Sequence, residues 1–186
     1  MTECRETDEW LMAQVAAGRR ELLTVLVRRY ANPLLTFLVR MTNDHHRAEE
    51  LFQEVFLQVW LKRRQYQAPR PFRSWLFAIA ANHGRAAFRR ARPRDASLDG
   101  AGEPLSVSGS SPIDAAIAVE TCEAVAAAVA QLPAKQRQVI VLRIWNGLSF
   151  AEIAQAIGAA EVTARSHMHH GLNAMRRYLE PKLRDA

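Results

Sequence analysis

The chain is poor in everything that would tie it together by covalent or metal links. Its two cysteines, Cys4 and Cys122, lie far apart and fit neither a CxxC pair nor a Cys/His zinc spacing, so neither a disulfide framework nor a metal finger is supported. No uninterrupted apolar run approaches the ~20 residues of a membrane span. The N-terminal MTECRETDEW is acidic and lacks the basic-then-apolar order of a secretion signal. A soluble protein in a reducing, cytoplasmic setting is expected, without direct membrane insertion. Strand-like alternation bounded by hairpin turns is missing, and the apolar periodicity is helical, which makes the expected fold class all-α. There is no repeat of fixed period, no phosphate-cradling glycine loop and no Ser/His/Asp or Cys/His arrangement. Catalytic residues, a small-molecule substrate, a cofactor and a metal are therefore all expected to be absent.

Charge of one sign is also missing from one stretch. Between Asp95 and Ala134 stand six acids and no Lys or Arg, whereas residues 1–94 hold 17 bases against 9 acids and residues 135–186 hold 8 against 4. With a net charge of +6 over 186 residues and a pI of about 10.0, two basic modules joined by an acidic connection suit a polyanionic partner such as nucleic acid. The connection, PRDASLDGAGEPLSVSGSSP at Pro93–Pro112, is rich in Gly, Ser, Pro and acid and cannot bury enough apolar surface to offset ordering. A flexible tether is expected, its ends roughly 25 Å apart on average as a coil. The expected organisation is a first domain at 1–92, a linker at 93–112 and a second domain at 113–186.

The second domain carries the most informative segment, LSFAEIAQAIGAAEVTARSHM at Leu148–Met168. Ser149 and Glu152 have the S-x-x-E spacing in which hydroxyl and carboxylate reciprocally satisfy the free amides of a starting helix, just after Gly147 can end the previous one. A helix is predicted from Phe150, with Ile153, Ala154 and Ile157 at helical spacing and Gly158 free to take a left-handed turn. A second helix is predicted from Glu161, presenting Thr163, Arg165, Ser166, His167 and His170 outward, chemistry suited to phosphates and base edges in a major groove. The same pattern also occurs in ordinary helical hairpins.

In the first domain a short helix is predicted over Asp8–Ala17, ending at Gly18. A second, over Glu21–Met41, carries Leu22, Leu26, Tyr30, Leu34 and Leu38, with Pro33 expected to kink or divide it. The helix at Arg47–Leu61 segregates a buried stripe of Leu51, Phe52, Val55, Phe56, Val59 and Trp60 from a polar stripe of Glu50, Gln53, Glu54 and Gln58. The polar stripe is either a solvated face or the receiver of a basic partner. Beyond it, Lys62–Arg94 interleaves arginines with Tyr66, Phe72, Trp75, Phe77 and Phe88, a combination suited to single-stranded DNA because cations track phosphates while rings stack on bases. The competing reading is that Trp75, Leu76 and Ile79 are core and that Asn82 is a helix-packing hydrogen bonder.

These residues carry a family resemblance. Asp8–Arg92, with AEELFQEVFLQVW at Ala48–Trp60 and PFRSWLFAIAAN at Pro71–Asn82, resembles region 2 of bacterial RNA polymerase sigma factors of the extracytoplasmic function (ECF) group. Leu132–Leu179, with LPAKQRQVIVLRIWNGLSFAEIAQAIG, resembles region 4. The resemblance implies a non-catalytic subunit that binds core RNA polymerase, places it on promoter DNA and helps to open the duplex. It assigns Glu50, Leu51, Gln53 and Glu54 to the surface that docks on the clamp helices of the large polymerase subunit. It assigns the Arg64–Arg73 loop with Tyr66, together with Asn82, Arg89 and Arg90, to the minus-ten element and its flipped base. It assigns Thr163–His170, thus Thr163, Arg165, Ser166, His167, His169 and His170, to the minus-thirty-five element, and the acidic linker to polymerase channels. Family members are often held by an anti-sigma protein.

Four positions depart from the family pattern. Ala160 stands where a capping serine is usual, a loss of about 1 kcal/mol. His167 and His170 replace more usual arginines, and Ala86 stands where an acid is common. His167 and His170 are expected to share a face with His169 directed elsewhere, which does not suit a metal site. The rival readings are a polymerase-independent helix-turn-helix repressor or activator, which leaves residues 8–92 without a role, and a nucleic-acid-processing enzyme, which lacks the metal-binding carboxylates or nucleophile it requires. The chain ends soon after the second module, and no fused sensor domain is expected.

Overall fold

In the computed structural model, residues 6–90 and 112–184 are described, with side chains described for 6–86 and 120–182. Eight α-helices occur among the described residues and no strand: α1 (Asp8–Ala16), α2 (Leu23–Thr42), α3 (His45–Leu61), α4 (Phe72–Arg90), α5 (Pro112–Ala130), α6 (Ala134–Ile144), α7 (Phe150–Ile157) and α8 (Glu161–Arg184). The all-α expectation holds. The tether expected at 93–112 lies outside the described residues except at Pro112, where α5 begins.

Local chemistry sets the helix ends. Thr7 accepts the Trp10 amide at the start of α1, and Asp44 accepts the Arg47 amide at the start of α3. Asn43 ends α2 in the left-handed conformation at φ 56°, a region Asn tolerates better than most residues. The capping box expected at Ser149 and Glu152 is present, and Gly158 closes α7 at φ 65°. Helix α2 runs unbroken across Pro33, so the proline does not divide it. With the preceding turn, Arg20–Thr42 is long and apolar enough to cross a membrane by composition alone. Its Leu26, Tyr30, Leu34, Phe37, Leu38 and Met41 are instead buried in the protein core, which accounts for the apolarity.

A single apolar core extends from Leu11 of α1 to Met175 of α8. The halves on either side of residues 93–112 contact each other directly, α7 against α4 and α6 against α2. Polar side chains cross this contact. Arg137 of α6 donates to the Met41 carbonyl at 2.9 Å and to the Ala130 carbonyl. Gln138 donates to the Ala81 carbonyl at 2.7 Å, and Asn146 to the Pro33 carbonyl at 2.8 Å. Arg40 lies over the Trp145 ring at 4.0 Å. Arg137 is only 3% exposed, and burial pulls its guanidinium pKa down to about 10. Met41 and Ala130 close α2 and α5, where the last four carbonyls have no helical partner. One cation thus satisfies the negative ends of two helices.

Removing that cation leaves buried carbonyls without a donor. Arg137→Ala is expected to lower stability by about 2–3 kcal/mol in urea unfolding. Arg176→Ala, which removes an exposed guanidinium paired with Glu180 on α8, is expected to stay within about 0.5 kcal/mol.

Candidate nucleic-acid and polymerase interface

On α3 the helical phase separates two faces as expected. Glu50 and Glu54 keep 47% and 44% of their side chains exposed, and Gln53 is exposed. Leu51 is 1% exposed, because it sits on the face that packs into the first-half core. It cannot present its side chain to a partner, contrary to the docking role expected for it. Leu57 and Leu61, missed from sequence, stand exposed at 56% and 59%. They continue the Glu50, Gln53 and Glu54 face by one and two turns, a phase visible in the sequence had the exposed stripe been extended. The carboxylates have basic partners: Arg47 reaches Glu50 at 2.5 Å and Glu54 at 3.6 Å, and His83 Nδ1 of α4 lies 3.1 Å from Glu54.

The segment between α3 and α4 places its cations outside and its rings inside. Arg64 and Arg70 are exposed, while Tyr66 and Trp75 are 7% exposed and Phe72 and Phe77 fully buried. Tyr66 packs against Phe72 and Trp75 at ring-centroid distances of 6.2 and 5.3 Å, and its hydroxyl donates to the Arg70 carbonyl at 2.5 Å. Burial pushes the Tyr66 phenol up to about 12, so it remains a donor. The expected stacking of these rings on bases is therefore corrected: they pack on one another because each supplies a large apolar area to the core. Arg73 is half-buried. Asn82 is exposed, with its amide oxygen accepting from Arg85, which leaves the NH₂ as a donor toward solvent. The side chains of Arg89 and Arg90 lie outside the described residues.

In the second half, α7, the Gly158 turn and α8 form the predicted helix-turn-helix. Its rotation is set by Gly171, where an added Cβ would come within 2.5 Å of Ile140 Cδ1 on α6. Ala164, Gly171 and Met175 consequently face the core, while Arg165, Ser166 and His169 are exposed together and Thr163 and His170 flank them. His167 lies on the inward side, half-buried. His169 lies on the open face apart from the half-buried His167, whose i+3 neighbour is His170, and the His169 ring meets that of His170 at 5.7 Å. His169 Nε2 is 3.0 Å from the Asn173 amide nitrogen. Among the described residues no group of three or more His, Cys, Asp or Glu side chains could hold a metal.

Residues 26–94 match Sigma-70 region 2, and residues 122–175 match Sigma-70, region 4. The chain is 34% identical to the ECF RNA polymerase sigma factor SigL of Mycobacterium tuberculosis, over 89% of this chain and 93% of that protein. It is 28% identical to the RNA polymerase sigma-H factor of Pseudomonas aeruginosa over 98% of each chain. The chain belongs to the ECF RNA polymerase sigma factors. Its fold is similar to that of CnrH in complex with the cytosolic domain of CnrY, with a TM-score of 0.72 at 22% identity over 94% of this chain and 97% of that one. It is also similar to the sigma factor RpoE of Bartonella quintana in complex with the anti-sigma factor NepR, with a TM-score of 0.67 at 22% identity over 84% and 96%.

On α8, burial, then the Lys135 charge and the proximity of His170, hold the half-buried His167 below the ordinary 6.5. A base whose folded pKa is depressed takes up its proton more readily in the unfolded chain. Its neutral form is therefore fully compatible with folding above pH ~6.5, and stability is lost as pH falls below that value. His167→Gln is expected to reduce the loss of stability between pH 7.5 and 5.5, read from urea midpoints at the two pH values. An unchanged pH dependence would place His167 in free solvent.

Proposed function

We propose that this sigma factor recruits sigma-free core polymerase through the α3 face of Glu50, Gln53, Glu54, Leu57 and Leu61, and engages the two promoter elements from its two halves. The observation that carries the reading is the placement of this acidic and apolar face on the first half and of an open recognition helix on the second. On this reading Arg64 and Arg73 contact the minus-ten backbone while the free NH₂ of Asn82 pairs with the edge of an extruded base. Arg165, Ser166 and His169, flanked by Thr163 and His170, meet the minus-thirty-five duplex. The domains divide as 1–92, 93–112 and 113–186, the central segment passing through polymerase.

The protein acts by binding and positioning, without bond-making chemistry of its own, and works in the cytoplasm where polymerase and promoter are found. An anti-sigma protein is a further proposed partner, supported by the two folds compared above, both described in complex with a protein partner. The direct test is whether the purified chain, added to sigma-free core polymerase, starts transcripts at a defined promoter. Absence of initiation across a genomic promoter library would overturn it.

Two substitutions separate the contacts. Glu54→Arg reverses charge on an exposed position and is expected to weaken retention by core polymerase at least tenfold in pull-downs, with helicity unchanged. Unaltered retention by a folded variant would remove α3 from the docking surface. Asn82→Ala is expected to reduce permanganate reactivity of unpaired thymines by roughly tenfold while leaving closed-complex affinity within about twofold, since a base must leave the stack before the amide can reach it. Equal losses in both complexes would assign Asn82 a structural role.

A further inference from the structure

The open face of α8 holds a feature that its family assignment does not explain. Val162, in the first turn of the helix, is 73% exposed, more than the other exposed large apolar side chains among the described residues. Single exposed apolar residues are ordinary on protein surfaces, but this one stands at i, i+3, i+4 and i+7 spacing with Arg165, Ser166 and His169 on one exposed stripe. The rotation of that stripe is fixed from behind by the Gly171 approach to Ile140. Val162 therefore stays outward.

Arg165 beside it is held in place. Its Nη2 lies 2.5 Å from Glu161 Oε1, and its guanidinium carbon lies 4.5 Å from the centre of the Phe150 ring. Phe150 follows the Ser149 and Glu152 capping box, and the Arg143 guanidinium also approaches its ring, at 5.1 Å. An exposed ion pair contributes little stability, yet a carboxylate and a ring together restrict a long side chain to one region of space. A guanidinium so restricted loses less freedom when it binds.

We propose that Val162 and Arg165 are the base-reading pair of this recognition helix. The Val162 methyls pack on the C5-methyl of a thymine, and Arg165 donates two hydrogen bonds to O6 and N7 of a guanine, the major-groove groups complementary to each side chain. Phe150 and Glu161 are positioning residues for Arg165. Side chains three apart on a helix are roughly 5–6 Å apart at Cβ and bases about 3.4 Å apart along a strand, which places the thymine and guanine one or two steps from each other. The inference rests on the reading that α8 enters the minus-thirty-five major groove and adds to it which side chains choose the bases.

The test uses holoenzyme formed from the full chain and sigma-free bacterial core polymerase. Duplexes are selected by binding from a pool randomised across both promoter elements, with wild type, Val162→Ser, Arg165→Ala, Phe150→Leu and Phe150→Tyr in parallel. Wild type is expected to enrich a thymine and a guanine one or two steps apart in the minus-thirty-five element. Val162→Ser should lose the thymine preference alone, by about fourfold, and Arg165→Ala the guanine preference alone, by roughly ten- to a hundredfold. Phe150→Leu should weaken the guanine preference, and Phe150→Tyr, which keeps the ring, should retain it. Deoxyuridine in place of the selected thymine should weaken wild type about fourfold, the effect of one methyl, and leave Val162→Ser unchanged. If Ser166→Ala and His169→Ala alter the minus-thirty-five preference while Val162→Ser and Arg165→Ala weaken binding evenly across all bases, α8 reads DNA but this pair does not. If no α8 variant alters the minus-thirty-five preference, the placement of α8 in the groove fails with it.

Discussion

Much of the fold depends on one buried guanidinium. Arg137 is surrounded by apolar side chains, and taking its charge out of water carries a penalty of several kcal/mol before any contact is counted. The penalty is offset because the carbonyls it meets, those of Met41 and Ala130, end α2 and α5. Other carbonyls near those ends have their own partners: Val39 accepts the Asn43 amide, Leu38 the Thr42 hydroxyl, and Ala127, Ala128 and Val129 the amides of Gln131 and Leu132. Arg137 supplies donors where the two helices have run out of them. Gln138 and Asn146 extend the same device, each giving an amide hydrogen to a carbonyl of the other half. Non-directional apolar packing would tolerate sliding between α2, α4 and α6. Directed bonds to particular carbonyls set the register.

Helix α6 in turn positions α8. Its inner residues, Val139, Ile140, Val141 and Leu142, are fully buried, and α8 rests on it through Gly171, whose lack of a side chain leaves room for that of Ile140. That approach decides which α8 side chains are open. Rotating α8 by one residue, about 100°, would bury Arg165 or Ser166 and expose the methionine side. The open stripe is therefore a consequence of packing behind the helix as much as of the residues on it, and Val162 and His169 owe their exposure to a glycine on the opposite side.

This dependence also explains what could be read from sequence. The Ser149 and Glu152 box, the Gly158 turn and the start of α8 at Glu161 were legible because each is determined within four residues by capping and backbone sterics. The two faces of α3 were legible from periodicity, which put Leu51 on the buried stripe where it lies; the docking role that the family resemblance gave it does not fit that burial. Arg64 and Arg70 of the α3–α4 segment stand in solvent. For its rings the sequence left base stacking and core packing open, and the buried Tyr66, Phe72 and Trp75 favour the core, because aromatic and basic residues alternate in a base-stacking groove and in a core edge alike. Tyr66 is decided by Phe72 and Trp75 six and nine residues on, and His167 by Lys135 in another helix. No local pattern encodes either contact.

The acidic face of α3 shows how such a surface can be both ordered and available. Glu54 is shared between Arg47 on its own helix and His83 on α4, with nearly half its side chain in solvent. Pairs at that exposure contribute from nothing to about 1 kcal/mol each, screened further by salt. They hold the carboxylates extended above Leu57 and Leu61 without committing them. A partner with cations of its own could replace Arg47 and His83 at little net cost. If it also covered Leu57 and Leu61, their burial would add attraction at ~25 cal/mol per Å² of apolar surface, while charge would set orientation and encounter rate.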